Sequence, residues 1–177
     1  MNKHYRRIEK PSGEEYLANE PPFADLLPAD GLLLNHMEEN FLSVKSLIYS
    51  LPKEKLQFRY AAGKWSIKEV LVHIIDMERI YGYRMLRFAR NDKTILPGFN
   101  HLDYITYSGA DRRDLDGIFD EYEAVRYSTI GLLNGLDDEA LLRRSIMNTK
   151  PVSVRALAYQ IAGHELHHVD IIRGRYL

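Results

Sequence analysis

Apolar side chains recur at every third or fourth position in four separate stretches of the sequence, a repeat typical of amphipathic α-helices. In the first stretch, for example, Leu33, Met37 and Phe41 fall on one side of a helix. Few stretches alternate apolar and polar residues as strands do, so the sequence predicts an all-α fold. The predicted helices cover about residues 30–50, 66–90, 112–135 and 153–174.

Local signals mark where these helices begin and end. Asp30 is the predicted N-cap of the first helix, and Ser66 and Glu69 have the spacing of a capping box at the start of the second. Gly135 ends the third helix, and the fourth begins near Ser153. Four helices of roughly 20 to 25 residues predict a four-helix bundle, in which ligand sites lie between facing helices.

The first 28 residues differ from the rest because they show little periodicity and contain Pro11, Pro21, Pro22 and Pro28. We therefore predict an N-terminal arm over 1–28 and a bundle over 29–177. Two interpretations of the arm remain open. It either lies extended across the bundle through Tyr16, Leu17 and Phe23, or forms a partly ordered tail.

Composition excludes several classes of function. The chain has 177 residues, 45% of them hydrophobic and 28% charged, as expected for one compact domain. Its 24 basic and 25 acidic side chains leave a net charge of -1, which argues against a nucleic-acid partner. No run of about 18 apolar residues predicts a membrane span, and no signal peptide is recognisable. With no cysteine, the chain is expected to be cytoplasmic.

Residues 164–168 read His-Glu-Leu-His-His and carry the strongest chemical signal in the chain. His164 and His168 are four residues apart, so both imidazoles can point at one metal ion from the same helix face. His73, among apolar residues of the second predicted helix, is the expected third ligand. His167 lies about 100° from His168 around the helix and is expected at the surface or at an interface.

Other interpretations of these histidines remain open. His73 could instead be a core histidine that supports a ligand, since a buried imidazole needs a partner. His164 and His168 could be two partly exposed side chains that the helix dipole favours near a C-terminus. The same five residues also fit His-Glu-x-x-His, in which the glutamate is the general base of a metalloprotease. No histidine follows His168, and Glu165 need not face the metal, so we do not expect a protease.

Three neutral imidazoles would suit zinc or nickel, with iron, cobalt and manganese as further options. An open fourth position would make the site catalytic, because the ion lowers the pKa of a bound water or thiol towards 7. Since the chain has no cysteine, such a thiol would have to come from a cofactor.

Polar residues near the histidines are the predicted catalytic groups. Asp76, one turn after His73, could orient an imidazole, or it could be an ordinary solvent-facing carboxylate. His101, Asp103 and Tyr104 lie in the predicted loop 91–111 and could transfer protons, or they could be ordinary loop residues.

The predicted substrate-binding residues are Tyr81 and Arg84 on the second helix and Tyr104 from the loop. Tyr83 could also contact an anionic substrate. The alternative for the tyrosines is core packing with a solvated hydroxyl group. The alternative for Arg84 is a solvated helix face that it shares with Arg87 and Arg90.

Residues 65–76 read Trp-Ser-Ile-Lys-Glu-Val-Leu-Val-His-Ile-Ile-Asp, and residues 162–168 read Ala-Gly-His-Glu-Leu-His-His. In this order and at this separation, the two segments resemble the DinB/YfiT-like superfamily of metal-binding four-helix bundles. The resemblance extends over about residues 30–173. It implies that one divalent metal ion is held by His73, His164 and His168.

The resemblance also implies a range of activities. Relatives include thiol-dependent transferases and isomerases that use bacillithiol or mycothiol, and others are regarded as hydrolases. We therefore expect a divalent-metal-dependent enzyme, a thiol S-transferase or a hydrolase, that acts on a small molecule. The alternative is a non-catalytic metal-binding bundle that acts as a homodimer. A vacant metal position would favour the enzyme, and a fourth protein ligand would favour a structural site.

Overall fold

The computed structural model describes residues 4–16, 23–147 and 150–177. Within these residues the chain is mainly helical, with one small antiparallel hairpin. The helices are α1 (Leu33–Tyr49), α2 (Ile67–Ala89), α3 (His101–Ser108), α4 (Leu115–Asn134), α5 (Asp138–Leu142) and α6 (Val154–Arg175). The hairpin strands are β1 (Arg144–Met147) and β2 (Lys150–Ser153).

The four long helices form the body of the molecule. Helix α1 packs chiefly on α4 and α6, and α2 also packs on α4 and α6, so the four helices surround a common core. These are the four amphipathic helices that the sequence predicts, and the all-α bundle is confirmed. No described helix combines the length and the apolarity that a transmembrane segment requires.

The predicted capping box of α2 is confirmed, but the predicted N-cap of α1 is wrong. The Ser66 side chain accepts a hydrogen bond from the Glu69 amide at 3.1 Å, and the Glu69 carboxylate accepts one from the Ser66 amide at 2.8 Å. Asp30, however, does not cap α1. Its carboxylate accepts from the Leu32 amide and contacts His36, so it ends the preceding turn and α1 begins at Leu33.

Two regions that were predicted as connections contain short elements. The segment 91–111 includes α3, which Asn100 caps by accepting from the Leu102 amide and which ends at Gly109 with a φ of 62°. Helix α5 and the hairpin lie between α4 and α6. None of these elements is long enough to show a clear repeat, because reliable periodicity needs about 11 residues or more.

The described parts of the N-terminal arm lie against the bundle. The Ile8 amide donates to the Gly31 carbonyl at 3.0 Å, and the Tyr159 hydroxyl donates to the Ile8 carbonyl at 2.9 Å. A short 3₁₀ turn, Phe23–Leu26, then packs closely on α6. Of the predicted arm contacts, Leu17 lies outside the described residues, as do Pro21 and Pro22.

Candidate metal centre

Three imidazoles meet between α2 and α6. His73 extends from α2, and its Nε2 lies 3.1 Å from the Nε2 of His164 on α6. The Nε2 of His168, one turn further along α6, is also 3.1 Å from that of His164. Zinc–nitrogen bonds of about 2.0–2.1 Å in a tetrahedral site place two ligand nitrogens about 3.3 Å apart. The three side chains could therefore hold one divalent ion.

Burial keeps these imidazoles neutral, which is the form that binds metals. Burial, with a smaller contribution from neighbouring imidazoles, lowers the pKa of His73 to about 4 and that of His168 to about 3. The pKa of His164 falls well below its usual value for the same two reasons, burial first. Among the described residues, no other histidine or carboxylate joins this cluster.

Glu165 points away from the three imidazoles and into the core. Its carboxylate accepts a hydrogen bond from the Tyr122 hydroxyl and another from Nη1 of Arg126 at 3.0 Å. The residue is fully buried by these contacts. A metalloprotease needs the glutamate of His-Glu-x-x-His beside the metal-bound water, so this geometry does not support the protease interpretation.

Arg126 connects the helices behind the imidazole cluster. Its guanidinium is fully buried and forms ion pairs with Glu78 of α2 at 2.9 Å and Glu165 of α6 at 3.0 Å. It also donates to the Met37 carbonyl of α1. Two carboxylates around one cation satisfy the charge of a group that would otherwise be costly to bury.

Aromatic rings surround the imidazoles. Trp65 lies 4.7 Å from the His73 ring and stacks on the His168 ring, at 6.3 Å between ring centres. On the other side, Phe23 lies 5.7 Å from the His164 ring and 4.8 Å from the His167 ring. In the sequence, Phe23 stands out only as an arm residue and Trp65 only as part of a motif, and neither was predicted to lie at the site.

The close approach of Phe23 depends on a glycine in α6. A Cβ atom on Gly163 would lie 2.1 Å from the Phe23 carbonyl oxygen and 2.4 Å from its carbonyl carbon. Any side chain at this position would therefore collide with the arm backbone. Gly163 precedes His164, so the same glycine lets the arm reach the imidazole cluster.

The two predicted catalytic residues, His101 and Asp76, differ in their position relative to the imidazole cluster. The ring centre of His101, at the start of α3, lies 5.7 Å from that of His73, so this side chain borders the imidazole cluster. Asp76 is half-buried and forms an ion pair with Arg79 at 3.9 Å. Burial raises the pKa of Asp76. No contact with the His73 ring supports the prediction that Asp76 orients it.

The predicted substrate-binding residues do not share one surface. Tyr81 is buried in the core, whereas Tyr104 is 44% exposed and packs on Phe99. Arg84 is buried, so the prediction of a solvated face is wrong for this residue. Its neighbour Arg87 pairs with Asp92.

Comparisons with known proteins agree with this architecture. The sequence profile of the DinB superfamily matches residues 36–172. YfiT from Bacillus subtilis, described as a probable metal-dependent hydrolase with an unusual four-helix bundle topology, aligns with a TM-score of 0.74 at 15% identity. That alignment covers 90% of this chain and 93% of YfiT.

A mycothiol-dependent maleylpyruvate isomerase aligns with a TM-score of 0.65 at 12% identity, over 85% of this chain. The alignment spans 63% of the isomerase, which is the longer protein. At these identities the likeness concerns the fold. No curated protein matches the sequence.

Proposed function

The chain belongs to the DinB superfamily, and from this premise we propose that it is a divalent-metal-dependent enzyme that acts on a small molecule. The observation that carries the proposal is the convergence of His73, His164 and His168 on one point between two helices. The bound ion would activate a water molecule or the thiol of a cofactor for hydrolysis or transfer. Zinc and nickel fit the three nitrogen ligands best.

The residues around the cluster favour a catalytic site over a structural one. Structural zinc sites have four protein ligands, whereas the described part of this chain brings together only three. Phe23 packs against His164 and Trp65 against His73, so apolar rings occupy space beside the imidazoles that water would otherwise fill. Such shielding strengthens electrostatic interactions within the site.

His101 is the side chain that we propose to transfer protons. It stands 5.7 Å from His73, between ring centres, at the start of α3 and on the exposed side of the cluster. Imidazole side chains are common general acids and bases because they can both accept and donate a proton. Any thiol used in the reaction would have to come from a cofactor such as bacillithiol or mycothiol, since the chain has no cysteine.

The first experiment measures metal content in protein that was purified without an affinity tag. We expect nearly one divalent ion per chain, and severe loss of that ion in the His73→Ala and His164→Ala variants. His36→Ala is the matched control, because His36 pairs with Asp30 away from the cluster. Full metal content in His73→Ala would contradict the proposed ligand set.

The second experiment separates the two reaction types. The metal-loaded protein is incubated with an electrophile and bacillithiol, and the loss of free thiol is compared with the hydrolysis of ester and amide substrates. Metal-dependent thiol consumption would identify a transferase, and metal-dependent hydrolysis without a thiol would identify a hydrolase. If the loaded protein shows neither activity, the non-catalytic alternative is favoured.

A further inference from the structure

Arg84 is a buried cation without a carboxylate partner among the described residues. Only 6% of the residue is exposed. Its guanidinium forms one long hydrogen bond, 3.4 Å from Nη2 to the Pro97 carbonyl, and its guanidinium carbon lies 5.5 Å from the centre of the Phe99 ring. Arg126, the other buried arginine, is held by two carboxylates. In the described structure, Arg84 therefore lacks the counterion that a buried guanidinium normally requires.

The fold places Arg84 and the imidazole cluster along one face of α2. Arg84 follows His73 by 11 residues, which corresponds to about 16 Å along the helix and only about 20° around it. Met77 and Ile80 occupy the same face between them.

One segment of the chain connects the two places. Pro97 and Phe99 contact Arg84, and two residues later His101 lies beside His73. The segment 97–101 therefore runs along α2 from the guanidinium to the imidazoles. A ligand lying beside this segment would meet a cation at one end and the metal centre at the other.

We propose that Arg84 binds an anionic group, a carboxylate or a phosphate, on the ligand whose reacting atom lies at the metal centre. This inference rests on the proposed function and adds a substrate class to it. Within the described parts of the chain, only one of the five guanidinium N–H groups has a protein acceptor. Their fork geometry suits paired hydrogen bonds to a carboxylate or phosphate, while Phe99 supports the guanidinium through a cation–π contact.

The test uses probes that carry a thiol for the metal and an anion for Arg84. Protein loaded with cobalt(II) is titrated with ω-mercaptoalkanoic acids of increasing chain length and with the matching neutral ω-mercaptoalkanols. The thiolate-to-cobalt absorption band reports binding. We expect the acids to bind about 10- to 100-fold more tightly than the alcohols at the lengths that reach from the metal centre to Arg84, because hydrogen bonds to charged groups are strong. Titration with ω-mercaptoalkyl phosphates of the same lengths shows whether Arg84 prefers a phosphate or a carboxylate.

Variants assign the preference to Arg84. Arg84→Met should reduce the acid-to-alcohol affinity ratio to about 1, and Arg84→Lys should retain part of it. Arg87→Met is the matched control, because Arg87 pairs with Asp92 and Tyr83 one turn away, and its ratio should equal that of the parent. Phe99→Leu removes the ring without removing the charge and should keep most of the preference even if the segment 97–101 loosens.

The titrations distinguish a failure of this inference from a failure of the proposed function. If acids and alcohols produce the thiolate band with equal affinity at every length, Arg84 binds no anion and the inference is wrong while the metal centre stands. If Arg84→Met keeps the preference for acids, the anion lies elsewhere and the inference is again wrong. If the protein binds no cobalt, the proposed function fails and this inference fails with it.

Discussion

Replacing Gly163 by alanine should destabilise the protein, although alanine is the better helix former. The added Cβ would lie 2.1 Å from the Phe23 carbonyl oxygen, about 1.3 Å closer than the 3.4 Å of an ordinary contact. The obstructing atoms belong to the backbone and cannot rotate away, so the Phe23–Leu26 turn must move. Overpacking of this kind costs roughly 1–3 kcal/mol, and we expect the upper end. The higher helix propensity of alanine offsets up to about 1 kcal/mol of this cost. The expected net loss is therefore about 2 kcal/mol.

Gly131→Ala provides the matched control. Gly131 is also an interior helical glycine, but a Cβ there would meet no atom within 4 Å. This variant should gain up to about 1 kcal/mol. Urea unfolding of the metal-free proteins, followed by circular dichroism, measures both free energies of unfolding. Hydrogen exchange followed by mass spectrometry should show faster exchange in the arm of Gly163→Ala alone. A Gly163→Ala protein that is as stable as the parent, with an unchanged arm, would refute the argument.

Three further predictions concern charged and titratable groups. Arg126→Met leaves Glu78 and Glu165 buried together without their cation, and it should reduce the free energy of unfolding by about 3–5 kcal/mol in urea titrations. The metal-free protein should lose stability as the pH falls from about 6.5 towards 4, because the unfolded chain takes up protons that buried His73 and His168 do not. The free energy of unfolding should fall by about 1.4 kcal/mol per pH unit for each histidine. Urea titrations at pH 7 and pH 5 measure this change, and equal stability at the two pH values would contradict the lowered pKa values. Glu15→Gln should loosen the arm and reduce the free energy of unfolding by about 1–3 kcal/mol near pH 7. Burial alone would raise the pKa of Glu15, but hydrogen bonds from Arg155 and Ser153 to its carboxylate lower that pKa to about 2. An unfolding midpoint equal to that of the parent would show that Glu15 does not anchor the arm.

The long helices could be predicted from the sequence because each repeats its apolar positions over several turns. The capping box at Ser66 was equally readable, since it depends on two residues three positions apart. Helix α3 was not readable. Its eight residues include a single buried one, Ile105, and the polar residues around it resemble those of a loop.

The candidate metal centre was predictable to the extent that it depends on local spacing. His164 and His168 are one turn apart, and such a pair is visible in any helical sequence. The contributions of Phe23 and Trp65 depend on how distant segments pack together, which a linear pattern does not encode. The burial of Arg84 could not be predicted for a similar reason, because charged residues are usually exposed and this one is covered by the segment 97–101.

The guanidinium of Arg126 has a consequence for how the metal centre assembles. It joins Glu78 and Glu165, which stand on the same two helices as the imidazoles, and Glu165 is adjacent to His164. If α6 slid along α2 by one turn, about 5.4 Å, the ion pairs would break and His164 would move out of reach of His73 at the same time. The correct register of the two helices is thus enforced by charges within the chain. The protein can preorganise its three nitrogen donors before any ion arrives, and a cation can bind without first having to align the helices.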